Sequence, residues 1–387
     1  MNLHDIKKLP VVYKTLQFAR SRGGRAYMKL QNRLHGVAPK RVFFSSFAGK
    51  AYSDNPRYIS EALHKLRPDL EIVWQLSDSA DRTDLPDYVR TVPPRSLQAL
   101  KELATVRCFV DNFNRVRYLP KFPGQLYVQT WHGDRGFKKM MFDMEDGVHY
   151  PDYEQMDLAV SGSDFGTNVF HTAFRYNGEI LQVGMPRNDC LVNPDPARIA
   201  KVKKRLNISA DVKVMLYAPT FRDATAGGVL QTGVDLPKAL TALESATGSQ
   251  WLCLVRAHDL NSAVAHAKAD NLIDVTHYPE MAELMLVSDL LLTDYSSSAS
   301  DFVLLDRPAI LYQPDLAEFT KSDRNMYFDL CACPHLRAES EHDLLIMLYN
   351  FNHLPRRGRD VLNFYGANET GCSAEAVAQW ISDRISR

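Results

Sequence analysis

The chain has 387 residues, more than one hydrophobic core usually organises, so two domains are expected. Its apolar content of 45% and charged content of 24% are ordinary for a globular protein and exclude a disordered or fibrous chain. Lys+Arg and Asp+Glu both total 46, a balance that argues against nucleic acid as a partner.

Residues 1–41 break that balance, because the cations from Lys7 to Arg41 face one acid, Asp5. Leu9, Val11, Val12, Leu16 and Phe18 lie among them. A helix with cations on one side and aliphatics on the other suits an anionic membrane interface. It suits packing against the following domain equally well.

From there strand-like and helix-like runs alternate, the pattern of parallel sheets covered by helices. Strands are expected at Val42–Ser46, Glu71–Leu76, Cys108–Asn112, Leu126–His132, Leu158–Ser161 and Ile180–Gly184. Helical patterns fall at Pro56–Leu66 and Ser96–Thr105. Asn193–Pro196 is a polar stretch opening a basic helix through Arg205, which suggests a seam. The rhythm restarts with strands at Val212–Ala218, Trp251–Val255, Leu272–Val275, Asp289–Thr293 and Ala309–Tyr312, and a helix at Ala374–Arg384 ends the chain. The expected fold is α/β, with two doubly wound, Rossmann-like domains across a cleft. Residues 1–41 form the arm, 42–205 the first domain and 206–362 the second.

Cys108, Cys190, Cys253, Cys331, Cys333 and Cys372 show no zinc-ligand spacing, so a reduced, cytoplasmic compartment is the simplest reading. No apolar segment follows the basic start, and no apolar run reaches the roughly 20 residues that span a bilayer. The chain is therefore expected not to cross a membrane.

The chemistry concentrates at strand ends, where ligands bind in open α/β sheets. Thr293–Ser298 runs from an apolar strand into small hydroxyl residues. Ser296, Ser297 and free helix-start amides suit a diphosphate, while Asp294 and Asp301 are better suited to holding a ribose or the loop than to catalysis. Thr220 and Arg222 follow one neighbouring strand, and Arg256 and His258 end another, together an electropositive rim. On the first half, Thr130, Trp131 and His132 reach a strand end, and Gly133 permits a tight turn. Histidine is matched to proton transfer near neutral pH, although a lone strand-end His is also a common structural residue. Asp134, Arg135, Lys138, Arg187 and Asn188 are candidate acceptor or phosphate contacts.

In combination these segments resemble the CDP-glycerol:poly(glycerophosphate) glycerophosphotransferase family, the teichoic-acid and capsule polyol-phosphate transferases. The resemblance rests on Ser46–Pro56 (SFAGKAYSDNP), Gln129–Gly133 (QTWHG), Gly184–Asp189 (GMPRND), Tyr217–Asp223 (YAPTFRD) and the run from Leu284 to Phe319 with its TDYSS and DRP segments. It implies a GT-B-like fold whose C-terminal segment, 363–387, crosses back. It implies transfer of a polyol phosphate, glycerol phosphate foremost, from a CDP-alcohol to a hydroxyl of a cell-surface polymer or its lipid-linked primer, with release of CMP. No cofactor or metal is indicated; the partners are the CDP-alcohol, a polyol-phosphate or glycan acceptor, and the inner membrane face, to which the chain would attach peripherally. His132 and His258 match the family's catalytic histidines, and Thr220, Arg222, Arg256, Ser296, Ser297 and Asp301 fall at its donor positions. One departure is clear: the family follows His-Gly with Thr-Pro, whereas this chain has Asp134-Arg135. Three rivals stay open: a CDP-ribitol transferase, a nucleotide-sugar glycosyltransferase and a non-catalytic membrane scaffold.

Overall fold

The computed structural model describes residues 10–113, 119–144, 155–220, 234–256, 271–316, 319 and 325–386. β1 (Ala38–Ser45), β2 (Glu71–Gln75), β3 (Val89–Val92), β4 (Val106–Asp111), β5 (Leu126–Gln129), β6 (Leu158–Ser161) and β7 (Ile180–Gln182) form one sheet, in the order β3-β2-β1-β4-β5-β6-β7. β8 (Lys213–Tyr217), β9 (Trp251–Val255), β10 (Leu272–Asp274), β11 (Leu290–Thr293), β12 (Ala309–Tyr312) and β13 (Leu336–Ala338) form the other, in the order β10-β9-β8-β11-β12-β13. All pairings between these strands are parallel.

The central strands are apolar on consecutive residues because helices cover both faces. In β1, Phe43 points into one core with Val73, Phe109 and Met28. Its neighbours Val42 and Phe44 point the other way, into a core with Ile72, Trp74, Ile59 and Val110. Alternation of period two thus splits one strand between two layers. β8 repeats the device, with Val214 and Leu216 on one side and Met215 and Tyr217 on the other.

Strand order reverses beside β1 and beside β8. At such switch points the following loops diverge and leave a crevice at the strands' carboxyl ends. The crevice of the first sheet lies between the loops after β1 and β4, and that of the second between the loops after β8 and β11.

The domain boundaries differ from those expected. The helix Pro196–Arg205 belongs with the second domain, because Val202 joins that domain's core and the helix packs on Met281–Val287. Phe137, from the first half, is also buried in the second core. The helix Ser373–Ile385, in the segment expected to cross back, lies on the first domain, where Val377, Trp380 and Ile381 pack beside Ile59 and Leu63. The helix Pro10–His35 is only partly an arm: Met28 is fully buried near Leu103, and Asn32 Nδ2 donates to the Ala104 carbonyl at 2.8 Å. β3 and β13, unmarked in the sequence reading, are short sheet-edge strands. β5 stops at Gln129, earlier than expected, and Trp131 then takes a left-handed φ of 50°.

Because Ile381 is fully buried in the first domain's core, Ile381→Ala should destabilise that domain by about 2–5 kcal/mol. Urea unfolding of the purified protein would read this as a lowered midpoint.

Candidate active site between the two sheets

His132 lies just past β5, its ring half-buried among aromatic neighbours. Trp131 lies at 4.3 Å between ring centroids, Phe47 at 5.5 Å and Phe113 at 5.7 Å. Its Nδ1 is 2.7 Å from the Asn112 carbonyl oxygen. A carbonyl only accepts, so Nδ1 carries the proton and Nε2 keeps its lone pair. Burial lowers the ring's pKa, against the opposing pull of the Asn112 carbonyl and the Asp54 carboxylate, while Arg187 lowers it further. The result is a neutral imidazole with one basic nitrogen.

The backbone around this ring is strained. Phe47, Ala48, Asp54 and Trp131 all have positive φ, between 47° and 60°. For residues carrying a Cβ such values persist only where surrounding bonds impose them, and they gather at functional sites. The imposing bonds are visible here. Phe47 N–H donates to Asn112 Oδ1 at 2.8 Å, and Asn55 Nδ2 donates to the Trp131 carbonyl at 3.0 Å.

The Ser-rich loop of the second domain meets this corner directly. A Cβ placed on Gly133 would lie 3.4 Å from Ser297 Oγ, an ordinary van der Waals contact, so the two segments lie side by side. Ser296 and Ser298 hydroxyls are 2.8 Å apart within the loop. After β8, Thr220 N–H donates to Asp294 Oδ1 at 2.8 Å, and the Thr220 hydroxyl donates to the same oxygen. Arg256 follows β9 with its backbone N–H on the Tyr217 carbonyl at 2.9 Å. One guanidinium nitrogen of Arg256 is buried without a hydrogen-bond partner among the described residues. Burial holds that guanidinium below its usual pKa, despite Glu280 and Asp54 nearby. Such an under-compensated cation gains most from an incoming anion.

Beneath the corner lies a buried ion cluster centred on Asp301. Arg135 donates to Asp301 Oδ1 at 2.8 Å and to Glu369 Oε1 at 2.6 Å. Arg187 donates to Asp301 Oδ2 at 2.9 Å, and Asn188 Nδ2 bridges Asp301 at 3.0 Å and Glu369 at 2.8 Å. Met185 N–H closes the set on Glu369 Oε2 at 2.9 Å.

A family model described as CDP-glycerol:poly(glycerophosphate) glycerophosphotransferase matches residues 26–378. The chain belongs to that family. Teichoic acid poly(glycerol phosphate) polymerases of Staphylococcus epidermidis and Bacillus subtilis are 32% and 34% identical over 82% and 76% of this chain. The matches cover 46% and 41% of those proteins, so the chain spans less than half the length of these relatives. The structure of the wall teichoic acid polymerase TagF is similar with a TM-score of 0.82 at 27% identity, over 100% of this chain and 99% of that one. The architecture of this glycerophosphotransferase-family chain is accordingly GT-B-like, two parallel α/β domains facing across a seam.

Several residues assigned from sequence to ligand contacts make contacts within the protein. Asp134 accepts from Ser163 Oγ at 2.6 Å, Gly162 N at 2.9 Å and Ser161 Oγ at 3.1 Å, tying the His132 turn to the loop after β6. Both of its carboxylate oxygens accept from these donors. Arg135, fully buried, and Arg187, Asn188 and Asp301, nearly so, bond to one another or to Glu369 in the ion cluster, as a charge out of water needs a fixed partner. Asp294 is likewise buried, fastening Thr220 to Tyr295 N–H. Lys138 places its Nζ over the Phe319 ring at 4.6 Å. His132, Ser296, Ser297, Thr220 and Arg256 remain at the seam, and Arg222 and His258 lie outside the described residues. Sequence reading missed Asn112, Glu280 and Glu369, and gave Asp54 no role of its own. The SDNP segment held the one available signal, an acid within a matched motif.

Asp301→Ala would leave two buried guanidinium groups short of a partner, and is expected to cost about 3–5 kcal/mol in chemical unfolding. Burial pushes the Asp301 carboxyl up, but Arg187 and Arg135 outweigh it and hold it below the usual range. Its contribution to stability is therefore complete above about pH 4 and is lost as acidification passes through the depressed folded value. A series of unfolding curves toward low pH should show the wild type converging on the variant.

Proposed function

We propose that this chain transfers glycerol phosphate from CDP-glycerol to a hydroxyl of a growing or lipid-linked cell-surface polymer, releasing CMP. The observation that carries the reading is the approach of the Ser297 loop to the His132–Gly133 turn, a neutral base beside a loop of hydroxyls and amides. His132 Nε2 takes the proton of the acceptor hydroxyl as its oxygen bonds to the glycerol-bearing phosphorus. The bond from that phosphorus to the bridging oxygen breaks, and CMP departs with the electron pair. Arg256 and the Ser296–Ser297 segment are assigned to hold the charge on departing CMP, and Arg222 and His258 are given the same task by their motifs. This is catalysis by positioning and electrostatics, as in other phosphoryl transfers.

Glycerol is favoured over ribitol by the names of the similar proteins, among them the poly(glycerol phosphate) polymerases and a TagF variant soaked with CDPG. His132→Ala should reduce CMP release by at least about a hundredfold while CDP-glycerol still binds, as calorimetry would show. Near-normal turnover in this variant would remove His132 from the base role, and release of CDP in place of CMP would point to sugar transfer.

A peripheral position on the cytoplasmic membrane face is part of the same proposal. On the helix Pro10–His35, Leu30 and Leu34 are exposed one turn apart, with Arg22, Arg25, Lys29 and Arg33 exposed around them. No helix among the described residues is long and apolar enough to cross a membrane. Aliphatics ringed by cations suit an anionic lipid surface. Sedimentation with vesicles containing anionic lipid should carry the wild type down, and the double substitution Leu30→Ser with Leu34→Ser should leave most of it in the supernatant.

A further inference from the structure

The hydrogen bond that sets the His132 tautomer comes from a backbone carbonyl, so whatever fixes residue 112 fixes the base. Asn112 is fully buried at the end of β4. Its side-chain amide donates to Asp54 Oδ1 at 3.0 Å and to Ser46 Oγ at 3.2 Å, and its Oδ1 accepts from Phe47 N–H. Asp54 is thus one residue removed from the ring. It is also the residue whose backbone is held left-handed, at φ 60°.

What holds Asp54 comes partly from the other domain. Its N–H donates to Glu280 Oε2 at 2.8 Å, and Glu280 is itself nearly fully buried just before the helix Met281–Val287. On its own side, Asp54 Oδ1 accepts from Asn55 N–H at 2.7 Å, and Arg187 Nη1 stands 3.7 Å from it. Among the described residues, the charged groups facing this corner are Asp54, Arg57 and Arg187 of the first domain and Glu280 and Arg256 of the second. Phe47, Phe113 and Trp131 close the sides of the ring.

We propose that Asp54 is a positioning residue for His132: its carboxylate fixes Asn112, Asn112 fixes the ring with Nε2 free, and Glu280 keeps Asp54 in place only while the two domains are docked. The inference rests on the reading of His132 as the base. It gives the seam a chemical role, since separating the domains would remove Glu280 from Asp54 and release the ring. The carboxylate also supports the imidazolium that forms when the acceptor proton arrives, as a nearby negative charge favours the protonated ring.

The test uses the full chain and the variants Asp54→Asn, Asp54→Gly and Glu280→Gln. Asn and Gly both tolerate a left-handed backbone, so each is expected to fold. Asp54→Asn should lower kcat on the order of tenfold, leave the CDP-glycerol KM within about twofold, and move the acid limb of kcat to lower pH by roughly half a unit. The direction follows because losing the carboxylate makes the imidazolium less favourable. NMR of the His132 ring should show the Nδ1–H tautomer in the wild type, a lowered midpoint in Asp54→Asn, and mixed tautomers in Asp54→Gly and, to a smaller extent, Glu280→Gln. An unchanged midpoint and tautomer in both Asp54 variants would overturn the proposal, as would a loss confined to KM. If the wild type released no CMP from CDP-glycerol, the proposed activity would fail while the NMR series still decided the role of Asp54.

Discussion

The Asp301 ion cluster is the constraint on which the seam depends. Two guanidinium groups and two carboxylates are withdrawn from water, and each desolvated ion carries a penalty of several kcal/mol unless its partners are in place. The partners come from separate stretches of chain: Arg135 from the His132 turn, Arg187 and Asn188 from the link after β7, Asp301 from the Ser-rich segment and Glu369 from the return to the first domain. A partly assembled cluster is worse than none, so the domains have a strong preference for one docked arrangement. That arrangement puts Ser297 against Gly133.

The strained corner around His132 is the counterpart of this rigidity. Left-handed backbone at Phe47, Ala48, Asp54 and Trp131 would relax if the surrounding bonds were loose. They are not, because the strand ends of β1, β4 and β5 are locked in a parallel sheet and cross-linked by Asn112 and Asn55. Rigid strands deliver the groups, and the docked second domain completes their surroundings.

Much of the fold was legible because parallel, doubly covered strands must be apolar on every residue, and such runs are conspicuous. β3 and β13 escaped for the opposite reason: Val89–Val92 includes Arg90 and Thr91, and Leu336–Ala338 includes Arg337, as edge strands with one solvated side allow. The helix Pro196–Arg205 was placed in the wrong domain because its basic surface carries no mark of which core Val202 will enter. In the site, residue type singled out His132, the serines, Arg135, Arg187 and Asp301 alike, and the structure sets the last three in a buried ion cluster. A buried ion pair and a phosphate contact use the same side chains, and only burial tells them apart. Arg135 and Glu369 are 234 positions apart, a separation no local pattern bridges.

The return of the helix Ser373–Ile385 bears on how the protein is made. During synthesis the first domain emerges early, yet Val377, Trp380 and Ile381 belong to its core and leave the ribosome only after the second domain. N-terminal domains commonly fold while translation continues. Here the sheet can form early, but part of one face, beside Ile59 and Leu63, stays uncovered until the whole second domain has been translated. The nascent chain therefore carries exposed apolar surface while the second domain is being made, and that interval is when a chaperone would be most needed.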